Sequence, residues 1–221
     1  MDIMPEIYFF DMDHTLINND CDVSWKQFLV EAGIAPSNAL DLADYYFEEY
    51  LNDRLDFNEF LDFQLAEFKG KSLQEMEALA DEHFERYVKE KFYQQILPHV
   101  DEALKSGKPV SLLTSTNNII AGPVAKYLGI PYVCASELEI VNGVFTGKVL
   151  GEYCLGEGKI AVARELATKC DTTLDKAKYY GDSISDRFIL GAVGYPVAVN
   201  PGEELKALSQ CNRWEILDIL D

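Results

Sequence analysis

Two aspartates, Asp11 and Asp13, and then Thr15 follow directly on the apolar run Ile7-Tyr8-Phe9-Phe10. Such a run reads as a buried strand, and in open α/β sheets ligands gather beyond the carboxyl ends of the strands. A carboxylate pair delivered there suits metal-assisted phosphoryl chemistry. The doublet alone is weak, because 38 of the 221 residues are acidic and Asp20-Cys21-Asp22 repeats the spacing with no strand before it.

Later positions strengthen it. The apolar stretch Val110-Ser111-Leu112-Leu113 ends at Thr114-Ser115-Thr116, where hydroxyls and backbone N–H groups open a helix and make a ready anion site. Lys159 stands at the start of a helical stretch, 158–167, after a glycine-rich approach. Lys178-Tyr179-Tyr180 runs into Gly181-Asp182-Ser183-Ile184-Ser185-Asp186, a glycine turn with two carboxylates four apart. Four strand or helix ends therefore offer Asp, Thr, Lys and Asp.

The elements that must position these groups differ between the two parts of the chain. From about Asn18 to Leu97 apolar residues recur at helical spacing: Trp25, Phe28, Leu29 and Ala32 before Gly33, then Leu40, Ala43 and Phe47 after Ser37. Asp56 with Glu59 and Ser72 with Glu75 fit capping boxes that open a third and a fourth helix, and Pro98 is expected to close the fourth. The many Tyr and Phe rings here read as a bundle core, and His83 and His99 as structural. From Pro98 onward, short apolar strands alternate with helical segments, the pattern of a parallel sheet. Strands are expected at 7–10, 110–113, 132–135, 177–180 and 196–199, with a hairpin at 137–150 turning on Asn142-Gly143.

With Asp11-x-Asp13-x-Thr15, Thr114, Lys159 and Gly181-Asp182-x-x-x-Asp186 in this order, nearly the whole chain resembles the haloacid dehalogenase superfamily. It is similar to the phosphoserine-phosphatase-like branch (subfamily IB). The resemblance implies an α/β fold: a doubly wound, mostly parallel Rossmann-like sheet formed by 1–17 and 98–221, with a helical cap inserted at 18–97. It also implies a Mg²⁺-dependent phosphatase. Asp11 is the expected nucleophile, giving an aspartyl-phosphate that water hydrolyses, and Asp13 the acid and base. The pKa of Asp13 should then be raised while that of Asp11 stays low. The implied metal ligands are the Asp11 carboxylate, the Asp13 backbone carbonyl and Asp182, with Asp186 acting through water or orienting Lys159. Lys159 would offset phosphoryl charge, Thr114 would hydrogen-bond a phosphoryl oxygen, and Thr15 would brace the loop. Thr15, Ser115, Asn117 and Asp20 are placed on the substrate side. His14 occupies a variable slot and is expected to give a supporting hydrogen bond.

Asp20 matches the acidic position that phosphoserine phosphatases use for the substrate ammonium. Their cap-helix arginine has no counterpart in Phe60-Leu61-Asp62-Phe63-Gln64. The expected substrate is a small amino-alcohol or amino-acid phosphate such as histidinol phosphate or phosphoserine; the missing arginine counts against phosphoserine, whereas an amino-alcohol phosphate without a carboxylate, such as histidinol phosphate, fits both Asp20 and the missing arginine. Ser185 stands where that branch often carries asparagine.

A hydrophobic content of 48% over 221 residues supports a sizeable core. The formal charge of −19 excludes nucleic acid and anionic membranes as expected partners, since both bind through Lys and Arg. It also favours a substrate that carries its own positive group. Five cysteines without CxxC spacing, and an N-terminal stretch unlike a secretory signal, suggest a cytoplasmic monomer or homodimer with free thiols.

Three rival readings have distinct signatures. A haloacid dehalogenase does not need Asp13. A phosphotransferase or phosphomutase of the same fold would not release free phosphate. A phospho-receiver signalling module would carry its phosphorylated aspartate on a later strand and would hold the phosphoryl group without turnover.

Overall fold

The computed structural model describes residues 4–51 and 54–219. Six parallel strands form one sheet in the order β3-β2-β1-β6-β7-β8: β1 (Ile7–Phe10), β2 (Val110–Asn117), β3 (Tyr132–Ser136), β6 (Ala177–Gly181), β7 (Tyr195–Val199) and β8 (Glu215–Leu217). The chain moves outward from β1 through β2 to β3, then crosses back to lay β6 on the other side of β1. The switch in strand order therefore falls between β1 and β6, and their carboxyl ends border the crevice where α/β sheets bind ligands. Register makes the two ends level: Phe10 pairs with Tyr180, and the Asp11 N–H donates to the Tyr180 carbonyl at 2.8 Å.

Both faces of the sheet are covered, which is why the central strand β1 is continuously apolar rather than alternating. Ile7 and Phe9 pack on one side with α7 (Glu157–Lys169) and α8 (Arg187–Ala192). Tyr8 and Phe10 pack on the other, in a cluster that continues into Trp25, Phe28 and Phe68. Phe10 stacks on Tyr180 with ring centroids 4.5 Å apart.

Between β1 and β2 lie α1 (Cys21–Glu31), α2 (Ala39–Leu51), α3 (Phe57–Gln64), α4 (Leu73–His83) and α5 (Leu97–Lys105). Ser72 and Glu75 form a reciprocal capping box on α4, whereas Asp56 caps α3 by accepting from the Asn58 and Glu59 N–H groups. Ala32 lies exposed at the α1 C-cap, and Leu40 and Ala43 of α2 are half-buried. The Phe47 side chain lies outside the described residues. Pro98 does not close the fourth helix: α4 runs on as a π-turn over Phe84–Val88 and a 3₁₀ turn over Lys89–Lys91, and Pro98 sits in the first turn of α5. There its missing N–H costs no helical bond. The excursion leaves and returns side by side, because Asn18 N–H donates to the Lys91 carbonyl and Tyr93 N–H to the Leu16 carbonyl.

The hairpin is β4 (Leu138–Val141) and β5 (Val144–Val149), and the φ values of +54° at Asn142 and +82° at Gly143 supply the left-handed turn such hairpins need. Phe145 anchors it to the helices, edge-on to Phe68.

His83 is buried against Trp25 and Tyr87, with Nε2 2.9 Å from the Ser24 hydroxyl. Burial pushes its pKa down to about 4 from the ordinary 6.5. The unfolded chain thus takes up the proton first, so stability is complete above about pH 6.5 and is lost as pH falls toward 4. Between pH 7.5 and 4.5, urea denaturation is expected to show wild type losing about 2–3 kcal/mol more than His83→Gln. Equal losses in the two proteins would remove His83 as the cause.

Candidate active site

Asp11 follows β1, Asp182 follows β6, and Lys159 reaches both neighbourhoods from the first turn of α7. The Lys159 ammonium lies 2.9 Å from Asp11 Oδ2 and 2.7 Å from Asp186 Oδ1, with exposures of 2% for Lys159 and 0% for Asp186. The Tyr179 hydroxyl donates to the same Asp186 oxygen at 2.8 Å, and the Ser183 N–H donates to Oδ2. Asp186 therefore accepts three hydrogen bonds and fixes the lysine. Two glycines make the approach possible. A Cβ on Gly158 would stand 2.0 Å from the Tyr153 carbonyl oxygen, and one on Gly181 would stand 2.6 Å from Asp186 Oδ2.

Burial raises the pKa of Asp11, with Asp186 and Asp182 pushing the same way and Lys159 opposing. Asp182 is raised by burial and by Asp186, while the Thr15 hydroxyl donates to it at 2.8 Å. The expectation that Asp11 stays low is corrected here: three carboxylates share one lysine in a dry site. The lysine is held charged, since Asp11 and Asp186 outweigh the effect of its burial.

Asp13 faces the group from the next turn. Its Oδ1 accepts from the Cys21 N–H at 2.9 Å and its Oδ2 from the Thr116 hydroxyl at 2.8 Å. Burial, with Asp20 and Asp22 adding repulsion, raises its pKa well above the usual carboxylate range. A carboxyl of raised pKa opposite a lysine-paired carboxylate is the arrangement of a general acid beside a nucleophile.

A cavity of about 280 Å³ opens onto these groups, walled by Asp11, Asp13, Lys159 and Asp182 on the sheet side and by Asp20 and Ser115 beside them. Four other expected site residues stand behind this wall. Thr114 is buried, and its hydroxyl oxygen accepts from the Thr116 N–H. Asn117 caps α6 (Asn118–Leu128) by accepting from the Ile119 and Ile120 N–H groups. Thr15 braces Asp182, and Asp186 holds Lys159. Their placement corrects the expected direct substrate contact of Asn117 and Thr15 and puts Ser115 and Thr116, rather than Thr114, on the cavity side. His14, at φ +54°, lies exposed on the cavity rim.

Asp22, Gln64, Thr116 and Tyr179 belong to the site and were missed in the sequence. Asp22 had a visible signal in the Asp20-x-Asp22 doublet. Thr116 had one in the Thr114-Ser115-Thr116 run, and Gln64 and Tyr179 had none. A larger groove of about 760 Å³ between β3 and α7 holds none of the motif residues.

One oxygen each from Asp11, Asp182 and Asp186 lies within 4.8 Å of the others. All-oxygen, anionic donors fit a hard cation such as Mg²⁺. Asp186 already accepts from Lys159, Tyr179 and the Ser183 N–H, more than the Lys159 and Met12 bonds at Asp11 or the Thr15 bond at Asp182, so Asp11 and Asp182 are the better fitted direct ligands.

The sequence pattern of haloacid dehalogenase-like hydrolases matches residues 8–190, and the chain belongs to that family. It is 31% identical to a histidinol-phosphatase of Neisseria meningitidis, over 97% of this chain and 99% of that protein. It is 33% identical to phosphoserine phosphatase SerB1 of Mycobacterium tuberculosis over 70% of this chain, spanning 50% of that protein. A Bordetella pertussis protein of unknown function superposes with a TM-score of 0.91 at 27% identity, covering 98% of this chain and 100% of its own. The phospho-aspartyl intermediate analogue of phosphoserine phosphatase superposes with a TM-score of 0.68 at 18% identity, over 99% of this chain and 94% of its own, a likeness of fold. Among the described residues, no helix is long and apolar enough to cross a membrane.

Proposed function

We propose that the chain is a phosphoric monoester hydrolase acting on a small, amino-bearing phosphate ester through an aspartyl-phosphate intermediate. The observation that carries this reading is the Lys159 ammonium, clamped between Asp11 and Asp186 and sharing one cavity with Asp13, whose pKa burial raises.

Asp11 attacks phosphorus, forming a carboxylate oxygen–phosphorus bond as the ester oxygen–phosphorus bond breaks. Asp13 gives its proton to the departing alkoxide. Water then attacks the acyl phosphate, Asp13 takes the water's proton, and the Asp11–phosphorus bond breaks to release inorganic phosphate. Lys159 faces the phosphoryl oxygens and offsets their charge throughout. When bound by Asp11 and Asp182, together with the Asp13 carbonyl, Mg²⁺ would neutralise charge on the phosphoryl group. The helices between Ile17 and Phe92 act as a cap that supplies the far wall of the cavity.

The histidinol-phosphatase and phosphoserine phosphatase relatives support an amino-alcohol or amino-acid phosphate, and the cavity lining favours one without a carboxylate. Lys159 is its only Lys or Arg among the described residues, and no arginine awaits a second anionic group. A panel of histidinol phosphate, phosphoserine and a sugar phosphate, assayed for released phosphate, tests the reading. Activity is expected with Mg²⁺ and is expected to fall at least about 10²-fold with chelator. Full turnover in chelator would defeat the metal assignment, and a phosphoryl group retained without release would favour the receiver or mutase alternatives.

A further inference from the structure

Beyond the phosphoryl end, the cavity extends between α1, α2 and α3, where its wall changes character. Tyr46, Phe57, Phe60, Phe63 and Tyr153 supply rings, and Asp20 and Asp22 supply charge. Asp20 is committed in part as the N-cap of α1, accepting from the Val23 N–H. Asp22 forms no ion pair among the described residues. Lys26, the one lysine that acts on Asp22, is spent elsewhere: its ammonium donates to the Phe63 carbonyl at 2.7 Å and pairs with Glu67. Gln64 lies beside Asp22 in the same wall, only 5% exposed, and its Nε2 meets no acceptor in hydrogen-bonding geometry, although the amide is near enough to favour the Asp22 carboxylate. A buried amide donor without a partner is costly, and although burial and Asp20 raise the Asp22 pKa to about 7, a small turn of the amide toward that carboxyl would relieve the cost.

Carboxylates and aromatic rings lining one cavity form a receptor for a cation, because the ring quadrupoles and the anions attract the same charge. We propose that Asp22, positioned by Gln64, recognises a cationic nitrogen on the alcohol portion of the phosphate ester and thereby sets substrate choice. The inference rests on the phosphatase reading and deepens it. The ligand class is an ester whose leaving alcohol carries an ammonium or imidazolium against the rings. Asp20 is exposed and Asp22 half-buried, so Asp22 is the more enclosed of the two carboxylates.

The test compares histidinol phosphate, which carries the cation, with p-nitrophenyl phosphate, which does not. Asp22→Asn is expected to lower the ratio of their kcat/KM values about 10–100-fold, with the loss appearing in KM for histidinol phosphate, and Asp22→Glu is expected to restore part of it. Gln64→Leu is expected to shift the same ratio in the same direction by less. Calorimetry with histidinol itself reads the subsite without catalysis, and Asp22→Asn should weaken that binding by a similar factor. An unchanged ratio and unchanged histidinol binding would overturn the proposal. Intact, Asp22-dependent histidinol binding in a protein that releases phosphate from neither ester would support the subsite while sinking the phosphatase reading.

Discussion

Asp11→Asn is expected to abolish phosphate release, lowering kcat by about 10⁴-fold or more, while the protein stays folded. An amide oxygen is too weak a nucleophile to form the acyl phosphate, and removal of a nucleophile from a covalent mechanism leaves only binding and electrostatic effects. The change is nearly isosteric, and its Oδ1 can still accept the Met12 N–H bond that Asp11 receives at 2.8 Å. It also removes one of three carboxylates crowded within 4.8 Å, so the melting temperature measured without metal is expected to hold or rise. Wild-type turnover in this variant would move the nucleophile to another side chain. A collapsed melting temperature would show that Asp11 is chiefly structural.

Lys159→Met should damage both fold and activity. Asp186, at 0% exposure, would keep the Tyr179 and Ser183 bonds but lose its only ion-pair partner among the described residues, and Asp11 would lose its own. Breaking a buried pair from one side costs about 3–5 kcal/mol, because a charge is left in a dry place without compensation. The denaturant midpoint at pH 7 is expected to fall accordingly, and Asp186→Asn in the same chain should recover part of the loss by removing the stranded charge. Turnover is expected to drop about 10²–10³-fold through lost stabilisation of phosphoryl charge. A fully stable Lys159→Met protein would show that water or another group reaches Asp186.

Much of this arrangement was legible in the sequence because its strands are buried on both faces. Ile7–Phe10 reads as an unbroken apolar run, Val110–Leu113 and Ala177–Tyr180 as runs interrupted only by Ser111 and Lys178, and all three lie in the sheet as expected. The chemistry-bearing residues at their ends were legible for the same reason, since the side chain after a buried strand has few places to go except the crevice. Asp11, Asp13 and Asp182 reach the cavity wall in this way, and Lys159 reaches it from a helix start.

What escaped has physical causes. The strand Glu215–Leu217 is three residues long and lies at the sheet edge, too short for any period to show. Pro98 was misplaced because a proline marks a helix end and a helix start equally well, and only the following turn decides. Beyond Leu113 the register of β2 against β3 shifts, so counting along the strand could not tell which of Thr114, Ser115 and Thr116 would face the cavity. Gln64 and Tyr179 carry no pattern, since each acts through one polar atom on an otherwise structural side chain. The raised Asp11 depends on how many carboxylates converge from distant strands, a quantity set by topology rather than by any local window.

The paired backbone at Leu16–Asn18 and Lys91–Tyr93 separates two kinds of information along the gene product. Asp11, Lys159, Asp182 and Asp186 lie outside that doorway, while Asp20, Asp22 and Gln64 lie within it. Since departure and return share one threshold, the loop of sequence between them can be rewritten in length and content without disturbing the order of the strands. Descendants of such a chain can acquire a new diet by editing one contiguous passage while the cutting edge is inherited unchanged.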